Sequence, residues 1–249
     1  MTTQRWPKLT LLSLCVLGCE PRPLDAVVAP PRELADALIA HWTFDDGAGN
    51  VAADASGNGH DGQLTGGAWI SDGRFAGALR LATGDVIAVP NFPDATSSFS
   101  VSAWVRLSPE QVAANRDMWA TLLSSETLAS GGWEMNIDRA VGEPRFVFSY
   151  WTPPRMGYTV TSCRCVTTDT WIHLAAVVDA ASDRVTLFHN GTVVDQQRGG
   201  TDIVPGDSTL YLGRWSMNGR FLSGDIDDIA VWGRALVASE VASLATTSF

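Results

Sequence analysis

Between Phe99 and Leu107 apolar and polar side chains alternate: Phe99, Val101, Ala103, Val105 and Leu107 share one parity, and Ser100, Ser102 and Arg106 the other. A period of two sends neighbouring side chains to opposite faces of a strand, so this run predicts a strand that covers a core on one side only. The same pattern recurs along the chain. Further strands are expected at Ile39–Phe44, Ala78–Leu81, Asp85–Val89, Trp133–Ile137, Arg145–Tyr150, Trp171–Asp179, Arg184–His189, Thr192–Gln197, Thr209–Gly213 and Asp225–Trp232. Asn190-Gly191 separates two of these runs and is a strong short hairpin signal, because both residues tolerate positive φ. The glycines between Asp54 and Gly62 mark a tight loop instead. Only Ala235–Leu244 has helical periodicity, with Leu236, Val241 and Leu244 on one side. Short strands in this number, with no solenoid or propeller repeat, predict an all-β, two-sheet antiparallel jelly-roll sandwich with one short C-terminal helix.

Composition narrows the class further. The chain has 249 residues, of which 45% are hydrophobic and 18% charged, which excludes a disordered tail. Its 27 acidic against 17 basic residues give a net charge of −10 and argue against affinity drawn from nucleic-acid phosphates. Residues 1–19 read as an export signal: Arg5 and Lys8 precede the apolar run Leu9–Leu17, which is too short to span a bilayer. The run ends in Val16-Leu17-Gly18-Cys19, which resembles the lipobox of bacterial lipoproteins and implies Cys19 as the lipidated residue. Pro21, Pro23, Pro30 and Pro31 make residues 20–36 an extended tether. Residues 37–249 are then one domain. The expected location is the bacterial cell envelope, at the outer membrane or cell surface, with the membrane met through the lipid anchor alone.

Four segments carry a family resemblance. They are Trp42-Thr43-Phe44-Asp45-Asp46 with the loop from Asp54 to Gly59, Phe99–Val105, Trp171–Asp179 with Asn190-Gly191, and Gly224–Leu236. In this order they resemble the laminin-G-like jelly roll of the concanavalin A-like lectin/glucanase group. That family usually places Ser after the Leu that opens its final helix; here Val237 stands there.

The candidate chemistry is of four kinds. Asp45-Asp46, the Asp54–His60 loop and Asp227-Asp228 offer the oxygen ligands a hard cation needs, from segments that a jelly roll brings together. The resemblance implies a structural Ca²⁺ in the same place, with Asp46, Asn58, His60 (through its carbonyl) and Asp227 as ligands; the alternative is a set of turn-capping residues without metal. Related glycanases use paired carboxylates, and the nearest match, Glu134 with Asp138, lacks a third acid, so a structural strand and a non-enzymatic protein are expected. His173, beside Trp171, reads as core. Cys163 and Cys165 form either a strained Cys-x-Cys bridge or free thiols.

The fourth kind is a binding surface. The segments Tyr150–Tyr158 and Arg214–Asn218 read as loops that present Trp151, Arg155, Tyr158, Arg214 and Trp215 to a ligand. Aromatic faces stack on sugars and arginine pairs with carboxylates. The expected partner is therefore a glycan, or an envelope or extracellular protein, and no nucleic acid. A hydrolase or lyase of the same fold and a structural envelope protein without ligand are the competing readings.

Overall fold

A computed structural model of the chain describes residues 33–93, 97–113, 119–126, 131–138, 144–152, 156–161, 166–206 and 208–249, the segment 156–161 by its backbone. Contacts divide the chain into residues 1–30 and 31–249. The leader with Cys19, and the pair Cys163 and Cys165, lie outside the described residues.

The strands in chain order are β1 Leu38–Trp42, β2 Val51–Ala52, β3 Gly62–Thr65, β4 Ala68–Phe75, β5 Gly77–Leu81, β6 Val86–Val89, β7 Phe99–Leu107 and β8 Trp119–Ser124. They continue as β9 Trp133–Asp138, β10 Arg145–Thr152, β11 Met156–Thr161, β12 Trp171–Asp179, β13 Arg184–His189, β14 Thr192–Arg198, β15 Leu210–Leu212 and β16 Gly224–Trp232. Two helices, α1 Pro109–Ala113 and α2 Ala238–Leu244, accompany them. All ladders between these strands are antiparallel, and they form two sheets packed as a sandwich. Sheet I has the order β14-β13-β12-β7-β16-β5-β4, with β1 added on β16. Sheet II has the order β11-β10-β9-β8-β15-β6-β3-β2. The first and last strands are neighbours, as expected of a jelly roll. β16 changes partner along its length, from β5 at Gly224–Ile226 to β1 at Ile229–Trp232. A bulge between Asp227 and Ala230, with Asp228 at φ 46°, makes that change.

The core lies between the sheets and holds Phe99, Val101, Ala103, Val105 and Leu107, the apolar parity of β7. One expectation is corrected here: β7 is covered on both faces. Ser100 and Ser102 are buried, and Trp104 is only 4% exposed. A second cluster on the outer face of sheet I explains this, where Leu236, Val241 and Leu244 from α2 and its approach meet Ala175, Val177, Ala230 and Trp232. Trp104 Nε1 donates to the Leu244 carbonyl at 3.3 Å, and Leu236 N–H donates to Ser100 Oγ at 2.9 Å. Alternation shows which side chains share a face but not whether a helix later covers it.

Local chemistry accounts for other differences. Asn190 and Gly191 adopt φ 49° and 74°, the positive pair that joins β13 to β14 as expected. The segment Tyr150–Tyr158 is not a loop. β10 continues to Thr152 and β11 starts at Met156, in register with Thr152. α1, also unexpected, begins at Pro109 after Ser108, whose Oγ accepts the Gln111 N–H at 3.2 Å as an N-cap. At α2, Glu240 replaces the missing serine cap from the other side: its Oε2 accepts the Val237 N–H at 2.8 Å. The docked body also starts before the expected boundary at residue 37. Glu33–Asp36 form a turn, and their carbonyls accept hydrogen bonds from Arg234.

Candidate functional site

The four expected calcium ligands hold separate tasks. Asp227 is fully buried, and its Oδ2 accepts the N–H groups of Arg74 and Phe75 at 2.6 and 2.9 Å, pinning the β4–β5 turn. Burial pushes its carboxyl up to about 7. Asn58 Nδ2 donates to the Leu38 and Ile39 carbonyls at 2.9 Å each, and the His60 carbonyl accepts Trp42 Nε1 at 2.8 Å. Asp46 is exposed, with a long 3.4 Å contact to Ala53 N–H. Asp54 organises the loop, taking the N–H groups of His41, Ser56 and His60. Among the described residues no three His, Cys, Asp or Glu side chains stand where they could hold a metal together. The second Asp227 oxygen, Oδ1, is buried without a hydrogen-bond partner.

The outer face of sheet II differs. Residues opposite each other in an antiparallel ladder share a face. One row therefore runs Tyr211–Ser124–Glu134–Ser149 and the next Thr121–Asn136–Val147. Met135 and Ile137, of the opposite parity, enter the core. The polar members of these rows are nonetheless buried: Thr121 0%, Glu134 2% and Asn136 1% exposed. Thr121 Oγ1 and both amide atoms of Asn136 have no hydrogen-bond partner.

The segment after β15 runs beside β8 and brings side chains to this face. Gly213 N–H bonds to Leu122 O at 2.9 Å, Thr121 N–H to Arg220 O at 2.8 Å, and Leu222 N–H closes the loop on Gly213 O at 2.8 Å. Arg220 lies 4.0 Å from the Trp215 ring and 5.3 Å from Trp119, and Nη1 stands 3.5 Å from both Glu134 oxygens. Trp215 Nε1 donates to Glu126 Oε2 at 2.8 Å, and Ser216 Oγ donates to the Glu126 carbonyl. Burial, and then the adjacent Glu126 charge, push Glu134 up to about 8 against the opposing pull of Arg220; burial also raises Glu126. Arg214 packs 4.3 Å over Tyr211 and donates to Asn218 Oδ1 at 3.3 Å.

The two expected binding segments lie on different elements, Trp151 on β10 and Trp215 in the turn after β15. Trp151, half-buried, donates its N–H to Gly132 O at 3.1 Å. Gly132, at φ +101°, packs so closely that a Cβ there would lie 2.6 Å from Ser125 O and 2.9 Å from Glu126 Cα. Of the two tryptophans, Trp215 is the one bonded to Glu126. Arg155 and the Tyr158 side chain lie outside the described residues. Sequence reasoning missed Thr121, Glu126, Asn136 and Arg220. The alternation Trp133-Glu134-Met135-Asn136-Ile137-Asp138 announces a polar face, but not that the face is buried.

A family model described as the concanavalin A-like lectin/glucanases superfamily, of laminin-G type, matches residues 81–242. The chain belongs to this superfamily. Solved structures of the same fold include domain 4 of AbnA, a GH43 extracellular arabinanase from Geobacillus stearothermophilus, in complex with arabinotriose. It is 24% identical, with 84% of this chain and 98% of that one covered at a TM-score of 0.62. The binding domain of botulinum neurotoxin serotype D (16% identity, 86% of this chain, TM-score 0.66) and that of Paraclostridial Mosquitocidal Protein 1 (18%, 86%, 0.66) also match. The chain spans 52% of each of these toxin domains. At such identities the likeness shows the concanavalin A-like fold alone. No curated protein matches the chain in sequence.

This member of the superfamily has a further concavity, of about 550 Å³, where β5 and β7 end and β16 begins. Its charges pair with one another. Arg80 Nε and Arg106 Nε bind the two Asp225 oxygens at 2.7 and 2.8 Å, and Arg106 Nη1 binds Asp72 at 2.9 Å.

Proposed function

We propose that this protein is a non-enzymatic, lipid-anchored recognition module of the cell envelope that holds a glycan against the outer face of sheet II. The observation that carries the reading is the grouping of half-buried Trp119, Trp151, Tyr211 and Trp215 with a buried polar floor on one sheet face. Aromatic faces supply apolar area to sugar rings, and convergent polar groups fix their orientation. The arabinotriose complex of a domain of the same fold supports the ligand class. A glycan array read against Trp151→Ala and Trp215→Ala tests it: both variants should lose retention while the fold persists. Array binding that survives both changes would reject this face.

Cys19 is the proposed anchor, and Cys19→Ser should release the protein from membranes. Calcium, implied by the resemblance, is part of the proposal as a stabiliser of the loop around Asp46. Equal melting temperatures in chelator and in excess Ca²⁺ would remove it.

Glu134 favours a second reading, because a carboxyl held protonated near neutrality has the character of a general acid. Asp138 is four residues along the same strand and on the same face. Asp138 is also paired with Arg145 at 3.1 Å. Reducing-sugar release from a polysaccharide panel, abolished by Glu134→Gln, would establish the hydrolase.

A further inference from the structure

In an Asn-Gly pair the side-chain amide can close a ring on the backbone, because glycine has no side chain to shield its nitrogen from the asparagine Cγ. The chain has three such pairs, Asn58-Gly59, Asn190-Gly191 and Asn218-Gly219, and the fold treats them differently. Asn58 is tied down through Nδ2, which donates to the Leu38 and Ile39 carbonyls. Asn190 is tied down through Oδ1, which accepts the His173 N–H at 2.9 Å. Gly191 is also packed against α2: a Cβ there would lie 3.0 Å from Ala245 Cβ and 3.1 Å from Ala242 Cα. Ring closure at either pair has to break bonds that the fold supplies.

Asn218 is exposed, and its bonds favour the ring. With φ 73° at Asn218 and 92° at Gly219, the side chain folds back on the turn, and Gly219 N–H donates to Asn218 Oδ1 at 3.0 Å. The nitrogen already lies against the amide it would attack, and such proximity lowers a barrier. Beyond the adjoining residues nothing stands within 4 Å of the place a Gly219 Cβ would take, so the approach is open. Arg214 Nη1 donates to the same Oδ1 at 3.3 Å, from a guanidinium held 4.3 Å over the Tyr211 ring. Attack at Cγ puts negative charge on Oδ1, where a positioned cationic donor stabilises it. Asn218 N–H to Trp215 O at 3.0 Å and Trp215 N–H to Gly219 O at 3.1 Å keep the turn closed.

We infer that Asn218-Gly219 is a self-modification site, where the turn and Arg214 promote succinimide formation. The Gly219 nitrogen gives up its proton and bonds Cγ; the Cγ–Nδ2 bond breaks, and Nδ2 takes up a proton and leaves as ammonia. Water then opens the ring at either carbonyl, which leaves an aspartyl or an isoaspartyl link and one new carboxylate beside Arg214. Water is the only co-reactant. An isoaspartyl link lengthens the backbone between the two bonds that close the turn, and this turn carries Trp215.

Peptide mapping by mass spectrometry, on full-length protein held in mildly alkaline buffer with and without denaturing urea, tests the assignment. In urea the three pairs should convert at similar rates, because only the local sequence acts. In the folded protein Asn218 should convert about tenfold or more faster than Asn58 and Asn190, as the hydrogen bonds retained at those two sites predict. It should also convert faster than it does in urea. Arg214→Gln should slow the folded-state reaction at Asn218 roughly tenfold, the effect of losing one charge-assisted hydrogen bond, and leave the other two sites unchanged. Arg214→Lys, which keeps a cation, should recover part of the rate. Equal folded-state rates at the three pairs, or an Asn218 slower when folded than in urea, would overturn the proposal. An unchanged rate in Arg214→Gln would overturn the part given to the arginine.

Discussion

The outer faces of the two sheets bury polar groups in opposite ways. On sheet I the charges are closed on one another: Arg80 and Arg106 share Asp225, His41 Nε2 meets Asp228 at 2.6 Å, and Arg234 forms a two-pronged pair with Glu240 at 2.7 and 2.9 Å. The atoms left over there are His173 Nδ1 and Asp227 Oδ1, whose groups are bonded at the other end to Ser102 and to the β4–β5 turn, and Trp171 Nε1, whose ring carries the Arg106 guanidinium at 4.7 Å. On sheet II the buried Thr121 hydroxyl and the Asn136 oxygen lack a partner, and the Glu126 charge bears on the buried Glu134. A satisfied buried network holds a fold together, whereas an unsatisfied one costs stability and persists where something else completes it. The difference is a physical ground for the proposed division, with architecture on sheet I and recognition on sheet II.

The largest effect should separate two tryptophans. Trp104, locked under α2 on sheet I, should cost about 3–5 kcal/mol on replacement by alanine. Trp151, half-buried at the edge of the sheet II face, should cost about 1 kcal/mol. Equal losses in urea denaturation would erase the distinction between the faces. Next comes Arg234→Ala, which leaves Glu240 buried and unpaired and frees the Glu33–Asp36 turn. A loss of about 3 kcal/mol is expected, with ligand binding intact; a neutral result would mean the pair does not secure α2.

A smaller effect, of order 1–3 kcal/mol, should appear in the pH dependence of stability. A carboxyl raised in the folded state keeps a proton that the unfolded chain has released, so its contribution declines as pH rises from the unfolded to the folded value. For Glu134 that window runs from 4.5 to about 8, and for Asp227 from 3.8 to about 7. His173, which burial lowers to about 3, acts oppositely, and its contribution is lost as pH falls below 6.5. Glu134→Gln should therefore flatten the alkaline decline, and His173→Gln the acidic one. A Glu134→Gln profile parallel to the wild type would show that the acid pair is not strained. The smallest effect is removal of Phe249, whose ring stacks on His41 at 4.3 Å and lies 5.5 Å from Trp232. About 1 kcal/mol should be lost; no loss would mean the chain end contributes nothing to closing sheet I.

Much of the architecture was legible residue by residue. β7, β12, β13 and β16 follow from alternation, Asn190-Gly191 from the φ values those residues tolerate, and α2 from its apolar stripe. β11 looks like loop in the sequence because Pro153, Pro154 and Gly157 mask a strand signal that its pairing with β10 overrides. At the site Trp151, Arg214 and Trp215 can be picked out by residue type, and the structure bonds Trp215 to Glu126. Asn136 and Thr121 could not, because a polar residue on a strand's outward parity looks like a solvated one. Asp227 suggested a metal ligand, and the N–H groups that occupy it come from Arg74 and Phe75, far away in the chain.

Sequence alone therefore determined the strand grammar, the antiparallel two-sheet class and the family, since periodicity, turn chemistry and short motifs act over a few neighbouring residues. Tertiary structure alone decided which outward faces are covered and whether the groups beneath find partners. Burial and hydrogen bonding there depend on residues more than a hundred positions apart, as when Trp104 meets Leu244 or Arg106 meets Asp225. No local pattern encodes such a meeting, and it is what makes one sheet face closed and the other a candidate for binding.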